Sequence, residues 1–250
     1  VWSRGVSKSF STGIYAALDA LLNQGVEIGI ISKSFRQSKM IFKKIEDIAA
    51  KPEAAFFKQC ITKVSKGNDE WLMEIGRSRI RALPLGDGEK LRGFRFQRII
   101  IDEFLLMPER IYNEVIVPFL SVVENPTQRQ EVHGLESMLI EQGKMKEEDR
   151  FVWPNNKLIA LSSASYKFEY LYKLYNQFDF LITQENRRDK ASRCIMQFGY
   201  DCAPSQLYDQ NLVNQAKATM SQSQFDREFG AVFTDDSSGY FKTSKMALCT

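Results

Sequence analysis

The chain has 250 residues, of which 44% are hydrophobic and 26% are charged. This composition excludes a disordered or collagen-like protein and leaves room for one large domain or two small ones, and the formal net charge of +3 neither requires nor excludes a nucleic-acid partner. Four widely spaced cysteines and a single histidine argue against a zinc site or a disulfide scaffold, and no apolar run reaches the roughly twenty residues of a membrane span.

Helix-like and strand-like segments alternate along the chain, which predicts an α/β domain with a mainly parallel sheet. Apolar residues at helical spacing predict helices over residues 10–23 and 34–50, and the apolar run at 27–32 predicts a buried strand between them. Apolar and polar residues alternate at 71–75 and 79–83, which predicts a hairpin.

The middle of the chain contains two further predicted strands. A glycine-bearing loop at 84–93 leads into a β-branched run at 98–101, typical of a strand covered on both faces. The polar segment 125–150 predicts a helical, exposed insertion, within which His133 is expected to be an ordinary surface residue. The run at 157–161 predicts another buried strand.

The last third of the chain is more polar. Residues 166–178 and 205–220 have helical periodicity, and residues 194–200 resemble a strand. The segment 221–233 predicts a short helix that leads into a terminal strand, and residues 234–250 read as the beginning of a linker.

A candidate phosphate-binding loop precedes the first helix. In the pattern G-x-x-x-x-G-K-[ST], backbone N–H groups surround an anion while the lysine and the hydroxyl reach phosphate and Mg²⁺. This chain keeps the Lys8-Ser9 end but has Trp2 and Ser7 where glycines are expected. The alternative is a helix N-cap supplied by Ser7 or Ser9.

Two acids follow the buried run at 98–101. Asp102 and Glu103 stand where a parallel strand ends, the edge at which α/β folds bind their ligands. An aspartate there can hold Mg²⁺ and a glutamate can orient and polarise water. The alternative is that the pair only caps the next helix.

A serine-rich turn follows the predicted strand at 157–161. Ser162 and Ser163 belong to it, and hydroxyls at a strand's carboxyl end can bond a γ-phosphate or its attacking water. The alternative is an ordinary turn or helix N-cap.

These segments, in this order, resemble the ATPase domain of large terminase subunits, the DNA-packaging motors of tailed bacteriophages. SRGVSKS looks like that family's phosphate loop (Walker A), RGFRFQRIIIDEF like its acidic strand (Walker B), and ALSSAS like its coupling motif. FDREFGAVF followed by SSGYF is similar to the end of the domain.

The resemblance implies a role for each matching residue. Lys8 would bind the β- and γ-phosphates, Ser9 and Asp102 would hold Mg²⁺, and Glu103 would be the catalytic carboxylate. The full loop would bind the nucleotide through Ser3, Arg4, Gly5, Val6, Ser7, Lys8 and Ser9.

Two arginines and two serines complete the implied site. Arg4 matches the family's phosphate-loop arginine, and Arg92 is placed like the arginine proposed to act on a neighbouring subunit's site. For Arg92 the alternative is a solvated loop charge. Ser162 and Ser163 would couple hydrolysis to movement.

At the level of the whole protein, the resemblance implies a P-loop NTPase of the ASCE or RecA-like type with a central, mainly parallel sheet flanked by helices. The ATPase domain would occupy residues 1–233, with its N-terminal strand cut short, and residues 234–250 would lead to a nuclease domain outside this sequence. The implied ligands are ATP and Mg²⁺. The implied partners are double-stranded DNA, the portal protein of the procapsid, the small terminase subunit and further copies in a ring, in the host cytoplasm and without a membrane.

Two other functions fit the same motifs. A superfamily 2 helicase or another RecA-like translocase has them in the same order but needs a second RecA-like domain. A non-catalytic scaffold with a degenerate loop would explain Trp2 and Ser7.

The DNA-contacting residues are left open by the motifs. Basic clusters that could hold DNA phosphates include Arg187, Arg188, Lys190 and Arg193, and also Arg77, Arg79 and Arg81. For either cluster the alternative is a solvated charged face.

Overall fold

A six-stranded sheet forms the centre of the protein. The computed structural model describes residues 1–86, 88, 91, 93–121, 123, 126–153, 155–184, 193–207 and 209–235. The strands are β1 Glu27–Ser32, β2 Ile61–Lys66, β3 Trp71–Ile75, β4 Ser78–Pro84, β5 Arg98–Asp102 and β6 Lys157–Ala160.

Helices cover the two faces of this sheet. They are α1 Lys8–Leu22, α2 Phe35–Ala49, α3 Ala55–Cys60, α4 Glu109–Ile111, α5 Val117–Phe119, α6 Pro126–Glu141, α7 Tyr170–Gln184, α8 Gln210–Thr219 and α9 Gln222–Glu228. A π-helical stretch, Tyr112–Ile116, joins α4 to α5. No helix in the described part of the chain is long and apolar enough to span a membrane.

The strands are arranged in the order β2-β3-β4-β1-β5-β6. The four from β4 to β6 run parallel, while β3 is antiparallel to both β2 and β4. The predicted α/β class with a mainly parallel sheet is therefore confirmed. The carboxyl ends of β1 and β5 lie side by side, because Ser32 is in register with Asp102.

Successive residues of the central strands pack alternately into two separate hydrophobic cores, one on each face of the sheet. Ile28 and Ile30 of β1 face a core beneath α1 and α2, whereas Ile31 faces the core built with the helices after β5. On that second side, a Cβ at Gly29 would lie 3.0 Å from the Phe96 ring, so glycine allows the close approach. This two-sided burial explains why β1 reads as an almost continuous apolar run.

Small residues bring α1 close to α2. Ala16, Ala17 and Ala20 are buried along one side of α1, and a Cβ at Gly13 would lie 3.4 Å from Lys44 Cβ. The phosphate-loop candidate is thus attached to a helix that packs tightly on the sheet and on its neighbour.

Most of the predicted elements are confirmed. The strand at 27–32 has its predicted bounds, and the hairpin and the strand at 98–101 are present within one residue of theirs. The polar insertion does contain an exposed helix, α6, and His133 is exposed on it. The predicted helices at 166–178 and 205–220 begin later, at Tyr170 and at Gln210.

Three strand predictions need correction. Residues 194–200 form only an isolated bridge between Phe198 and Trp2. The predicted terminal strand is absent from the described residues after α9, because Ala231 takes a positive φ of 54° that breaks an extended chain. The strand at 157–161 exists as β6, but it lies at the edge of the sheet and is only partly buried.

The edge strand β2 and the short helix α3 were not predicted. Residues 62–66 of β2 are exposed, so their sequence lacks the apolar alternation by which half-buried strands are recognised.

Candidate active site

The Lys8 side chain joins the candidate phosphate loop to the two acids that follow β5. Lys8 Nζ lies 3.3 Å from Glu103 Oε1 and 3.9 Å from Asp102 Oδ1. Lys8 and Glu103 are 95 positions apart in sequence and meet because α1 begins above the carboxyl end of β5. The structure thus brings the lysine of the candidate loop together with both acids.

Asp102 is the most deeply buried of the three charged groups. It is 7% exposed, and desolvation raises the pKa of its carboxyl above the ordinary value. Glu103 acts in the same direction, whereas the Lys8 ammonium and the Glu103 N–H, which donates to Asp102 Oδ1 at 3.1 Å, oppose the rise in pKa. A further cation beside Asp102 would favour the ionised carboxylate and oppose this rise in pKa.

The loop before α1 has positive-φ backbone at two positions. Gly5 has φ 85° and Ser7 has φ 53°, and Ser7 stands where the phosphate-loop pattern has its second glycine. The Ser7 side chain makes no capping hydrogen bond to α1, and Ser9 lies inside the helix. Ser7 therefore occupies the N-cap position of α1 without a side-chain cap, in the left-handed conformation that glycine adopts more easily.

Glu103 also has a left-handed backbone, with φ 53° and ψ 52°. Its side chain does not cap the short 3₁₀ turn Phe104–Leu106 that follows. Glu103 therefore occupies the N-cap position of this turn, but its carboxylate contacts Lys8 and does not cap the turn. A strained non-glycine residue whose carboxylate reaches Lys8 is typical of a functional site.

The serine turn after β6 links the loop to the acids. Ser162 Oγ accepts the Leu105 N–H at 3.2 Å, and the Ser162 carbonyl accepts the Trp2 N–H at 3.0 Å. Ser163 is buried beside it. Ser162 thus bonds to the chain on both sides of the site.

Of the two arginines that the resemblance implicates, the structure describes Arg4 but not Arg92. Arg4 is exposed, its Nε lies 2.5 Å from Glu228 Oε2, and its N–H donates to the Glu228 carbonyl at 3.1 Å. Glu228 belongs to the FDREF segment, to which the sequence assigned no role beyond the end of the domain. Arg92 lies outside the described residues.

Ser32 is a second residue that the motifs missed. It is fully buried at the end of β1, in register with Asp102, and its Oγ has no hydrogen-bond partner within the part of the chain that the structure describes. Ser32 and Asp102 lie on the same face of the sheet as Ile30 and Ile100. An unsatisfied buried hydroxyl beside a buried carboxylate is a signal that only the tertiary structure provides.

The oxygen donors at this edge suit magnesium. Mg²⁺ binds oxygen ligands and usually keeps several waters, with one or two carboxylates and substrate phosphates completing its shell. Asp102 offers a buried carboxylate and Ser32 a buried hydroxyl beside it, and Ser9 follows Lys8 at the start of α1. Among the described residues no three His, Cys, Asp or Glu side chains gather as an all-protein metal site.

The structure describes most of one of the two basic clusters considered for DNA contact and little of the other. Arg79 Nη1 lies 3.1 Å from Glu27 Oε1, and Arg81 pairs with both Glu27 and Glu70. In the β1–β4 register, Arg79 lies beside Glu27 at the amino end of β1 and Arg81 beside Gly29 in the middle of the strand, so neither is at the carboxyl edge. Of the other cluster, Arg193 is exposed, and Arg187, Arg188 and Lys190 lie outside the described residues.

Comparison with solved structures identifies the fold. The chain superposes on the large terminase ATPase domain of Thermus phage P74-26 with a TM-score of 0.57 and 15% identity, over 93% of this chain and 86% of that one. The large terminase of another thermophilic bacteriophage, in complex with ATP-gamma-S, gives a TM-score of 0.59 and 11% identity, over 94% of this chain. The large terminase of bacteriophage HK97 gives a TM-score of 0.55 and 12% identity, over 99% of this chain.

These matches show that the chain has the fold of large terminase ATPase domains, as the motifs led us to expect. The chain spans 46% of the terminase that was solved with ATP-gamma-S and 49% of the HK97 protein, so it corresponds to about half of those large terminases. No protein-family model and no curated protein sequence matches the chain.

Proposed function

We propose that this chain is the ATP-hydrolysing motor domain of a DNA-packaging large terminase subunit. The observation that carries the proposal is the approach of Lys8 to Asp102 and Glu103, within a fold shared with large terminase ATPase domains. The fold likeness supports a packaging role, and one of the matched structures was determined with ATP-gamma-S.

In this proposal the loop of residues 3–9 holds the phosphates of ATP. Lys8 would donate to oxygens of the β- and γ-phosphates, and Ser9 and Asp102 would hold Mg²⁺, with Ser32 placed to bond one of its waters. Bound Mg²⁺ would neutralise charge that develops between the β- and γ-phosphates. The unfavourable burial of the Asp102 carboxylate supports its role as a cation ligand.

Glu103 would act on the attacking water. Its Oε1 is the atom that Lys8 now contacts, so transfer of the Lys8 ammonium to phosphate would leave this oxygen able to accept a proton. The water oxygen then bonds to the γ-phosphorus, the bond to the β-phosphate bridging oxygen breaks, and ADP and phosphate leave.

The remaining assignments rest on the family resemblance together with the contacts described above. Arg4 would stabilise the γ-phosphate after leaving Glu228, and Arg92 would serve the site of a neighbouring subunit. Ser162 and Ser163 would carry the change at the γ-phosphate to the loop after β5, since Ser162 already bonds to Leu105 and Trp2.

The larger assembly is proposed on the same basis. The ATPase domain would comprise residues 1–233, followed by a linker, and would act in a homo-oligomeric ring on the portal of a procapsid. Double-stranded DNA would be the translocated substrate and the small terminase subunit a further partner, in the host cytoplasm.

The decisive experiment measures ATP hydrolysis by the chain, with and without duplex DNA, for the wild type and for Glu103→Gln. We expect the substitution to lower turnover by about 100-fold or more, because a general base is lost, while a fluorescent ATP analogue still binds. Glu114→Gln is the matched control, since Glu114 is an exposed glutamate that pairs only with exposed Arg110 among the described residues.

Turnover that is unchanged in Glu103→Gln would refute the mechanism. A wild type that neither binds nor hydrolyses ATP would favour the scaffold function. ATP-dependent unwinding of a forked duplex would instead favour a helicase-type translocase.

A further inference from the structure

Three lysine ammonium groups surround the Trp71 ring at the start of β3. Lys39 Nζ lies 4.9 Å from the centroid of the ring, Lys66 Nζ lies 4.8 Å from it and Lys43 Nζ lies 6.0 Å from it. Lys39 Nζ is also 3.9 Å from the centre of the Phe35 ring. Attraction to the aromatic faces holds the ammonium groups in place despite their mutual repulsion.

Little negative charge balances this group. Lys66 Nζ lies 2.9 Å from a Glu46 carboxylate oxygen. Within the described ranges, Lys39 and Lys43 have no carboxylate inside salt-bridge distance. Like charges gathered with so little compensation favour an anionic ligand.

The positive charge continues along the outer face of α2. Arg36, Lys39 and Lys43 are spaced by three and four residues, so they form one stripe on the helix. This stripe lies opposite the buried side of α2, which includes Ile41 and Ile45.

The sequence around this stripe is basic throughout. Residues 33–44 contain five basic side chains and no acidic one, although the whole chain has a net charge of only +3. We call Lys33, Arg36, Lys39 and Lys43 the α2 basic patch.

The α2 basic patch lies at the same edge of the sheet as the candidate active site. Trp71 is in register with Ala82 towards the end of β4, which runs parallel to β1. At the end of β1, Ser32 is opposite Asp102 and is followed directly by Lys33. A ligand held by the patch would therefore sit one short connection away from the acids.

Unlike the arginines of β4, the α2 basic patch has positive charge that few carboxylates of the described chain neutralise. Arg79 and Arg81 are paired with Glu27, Glu70 and Glu74, so their charges are largely neutralised within the sheet. Among the described residues, Lys39 and Lys43 have no carboxylate within salt-bridge distance, so their charges are not neutralised in this way.

We propose that the α2 basic patch holds the phosphate backbone of double-stranded DNA, with Trp71 and Phe35 fixing the position of Lys39. This inference rests on the proposed function, because it assigns the contact surface for the translocated duplex. Phosphate contacts of this kind need no base readout, which suits a protein that must move along any sequence. The stripe from Arg36 to Lys43 is about 10 Å long, enough to follow several phosphates of a duplex.

The test compares the double variant Lys39→Gln/Lys43→Gln with Lys144→Gln/Lys146→Gln. Both remove two positive charges, but Lys144 and Lys146 lie in the exposed segment after α6 and have partners of their own. Binding of a fluorescent duplex is measured from about 50 to 200 mM salt, together with basal and DNA-stimulated ATP hydrolysis and thermal melting.

We expect the α2 variant to bind duplex about tenfold more weakly and to reduce the slope of log affinity against log salt by about 2. It should lose DNA stimulation while basal hydrolysis and melting remain those of the wild type. Lys39→Arg/Lys43→Arg should restore binding, and the control should resemble the wild type.

Equal affinity and salt slope in the two double variants, with DNA binding intact in the wild type, would overturn this inference and leave the proposed function standing. Weaker self-association of the α2 variant with unchanged DNA binding would overturn it in favour of an acidic surface of another subunit. A wild type that hydrolyses no ATP and binds no duplex would overturn both.

Discussion

Arg98 and Asp19 form a buried ion pair that ties the start of β5 to the far half of α1. Arg98 Nε lies 2.8 Å from Asp19 Oδ2, with side-chain exposures of 2% and 5%. Lys8 and Asp102 stand at the other ends of the same two elements. Ion pairs thus connect both ends of α1, which follows the candidate phosphate loop, with both ends of β5, which leads to the acids.

Further hydrogen bonds complete this pair. Asn23 Nδ2 donates to Asp19 Oδ1 at 2.7 Å, and Arg98 Nη1 donates to the carbonyls of Gln97 and Asn155 at 3.0 and 3.1 Å. Hydrogen bonds of this kind reduce the free-energy cost of burying the two charges.

Removing one partner of the pair should be costly. We expect Arg98→Met to lower the free energy of unfolding by about 3–5 kcal/mol, because Asp19 would remain buried without its cation. The double variant Arg98→Met/Asp19→Leu should recover most of this loss. Urea unfolding of the wild type, both single variants and the double variant measures the coupling, and independent, additive effects would contradict it.

Ser7 occupies a left-handed position that glycine adopts without strain. We expect Ser7→Gly to bind nucleotide at least as tightly as the wild type, with stability within about 1 kcal/mol, because relief of strain offsets the greater freedom of unfolded glycine. Ser7→Val should weaken nucleotide binding and destabilise the chain, since a β-branched residue is least compatible with φ 53°. Titration with a fluorescent ATP analogue tests this order, and tighter binding by Ser7→Val would refute it.

The buried Asp102 carboxylate should make the fold less stable as it ionises. Its pKa is raised from the ordinary 3.8, so the folded chain holds the proton more tightly than the unfolded chain does. The cost is absent below pH 3.8, grows as the pH rises through the folded-state pKa and is complete above it.

Asp102→Asn should therefore melt at a higher temperature than the wild type at about pH 7, and the difference should shrink as the pH falls towards about 4. ATP hydrolysis should be lost at the same time. Asp179→Asn, at an exposed position of α7, is the control and should leave the melting curve unchanged. A lower melting temperature for Asp102→Asn at neutral pH would mean that attraction to Lys8 outweighs burial.

Ser32 and Ser38 provide a matched pair of buried serines. Ser38 Oγ donates to the Leu83 carbonyl at 2.7 Å, so Ser38→Ala should cost about 1 kcal/mol of stability. Ser32 Oγ has no such partner among the described residues, so Ser32→Ala should be neutral or stabilising.

If Ser32 serves the proposed magnesium site, Ser32→Ala should also require several-fold more Mg²⁺ for tight binding of a fluorescent ATP analogue. Ser38→Ala should not change this requirement. An unchanged magnesium requirement in Ser32→Ala would limit Ser32 to packing.

The sequence alone determined those features of this protein that depend on residues close together along the chain. The apolar runs at 27–32 and 98–101 specified two buried strands, and the polar residues directly after the second run specified where acids meet the sheet edge. The Lys8-Ser9 end of the loop specified a helix start that can face those acids. These are local patterns, since a strand buried on both faces is mostly apolar and polar residues mark its end at the sheet edge.

Only the tertiary structure decided which distant residues meet. The sequence could not show that β6 is an edge strand. Nor could it show that Glu27 forms ion pairs with Arg79 and Arg81, or that Glu228 forms one with Arg4. It likewise hid the position of Ser32 opposite Asp102 and the lysines around Trp71. Each of these depends on strand order and register, because the pairing of charges and hydroxyls is set by which elements become neighbours and not by the pattern within any one of them.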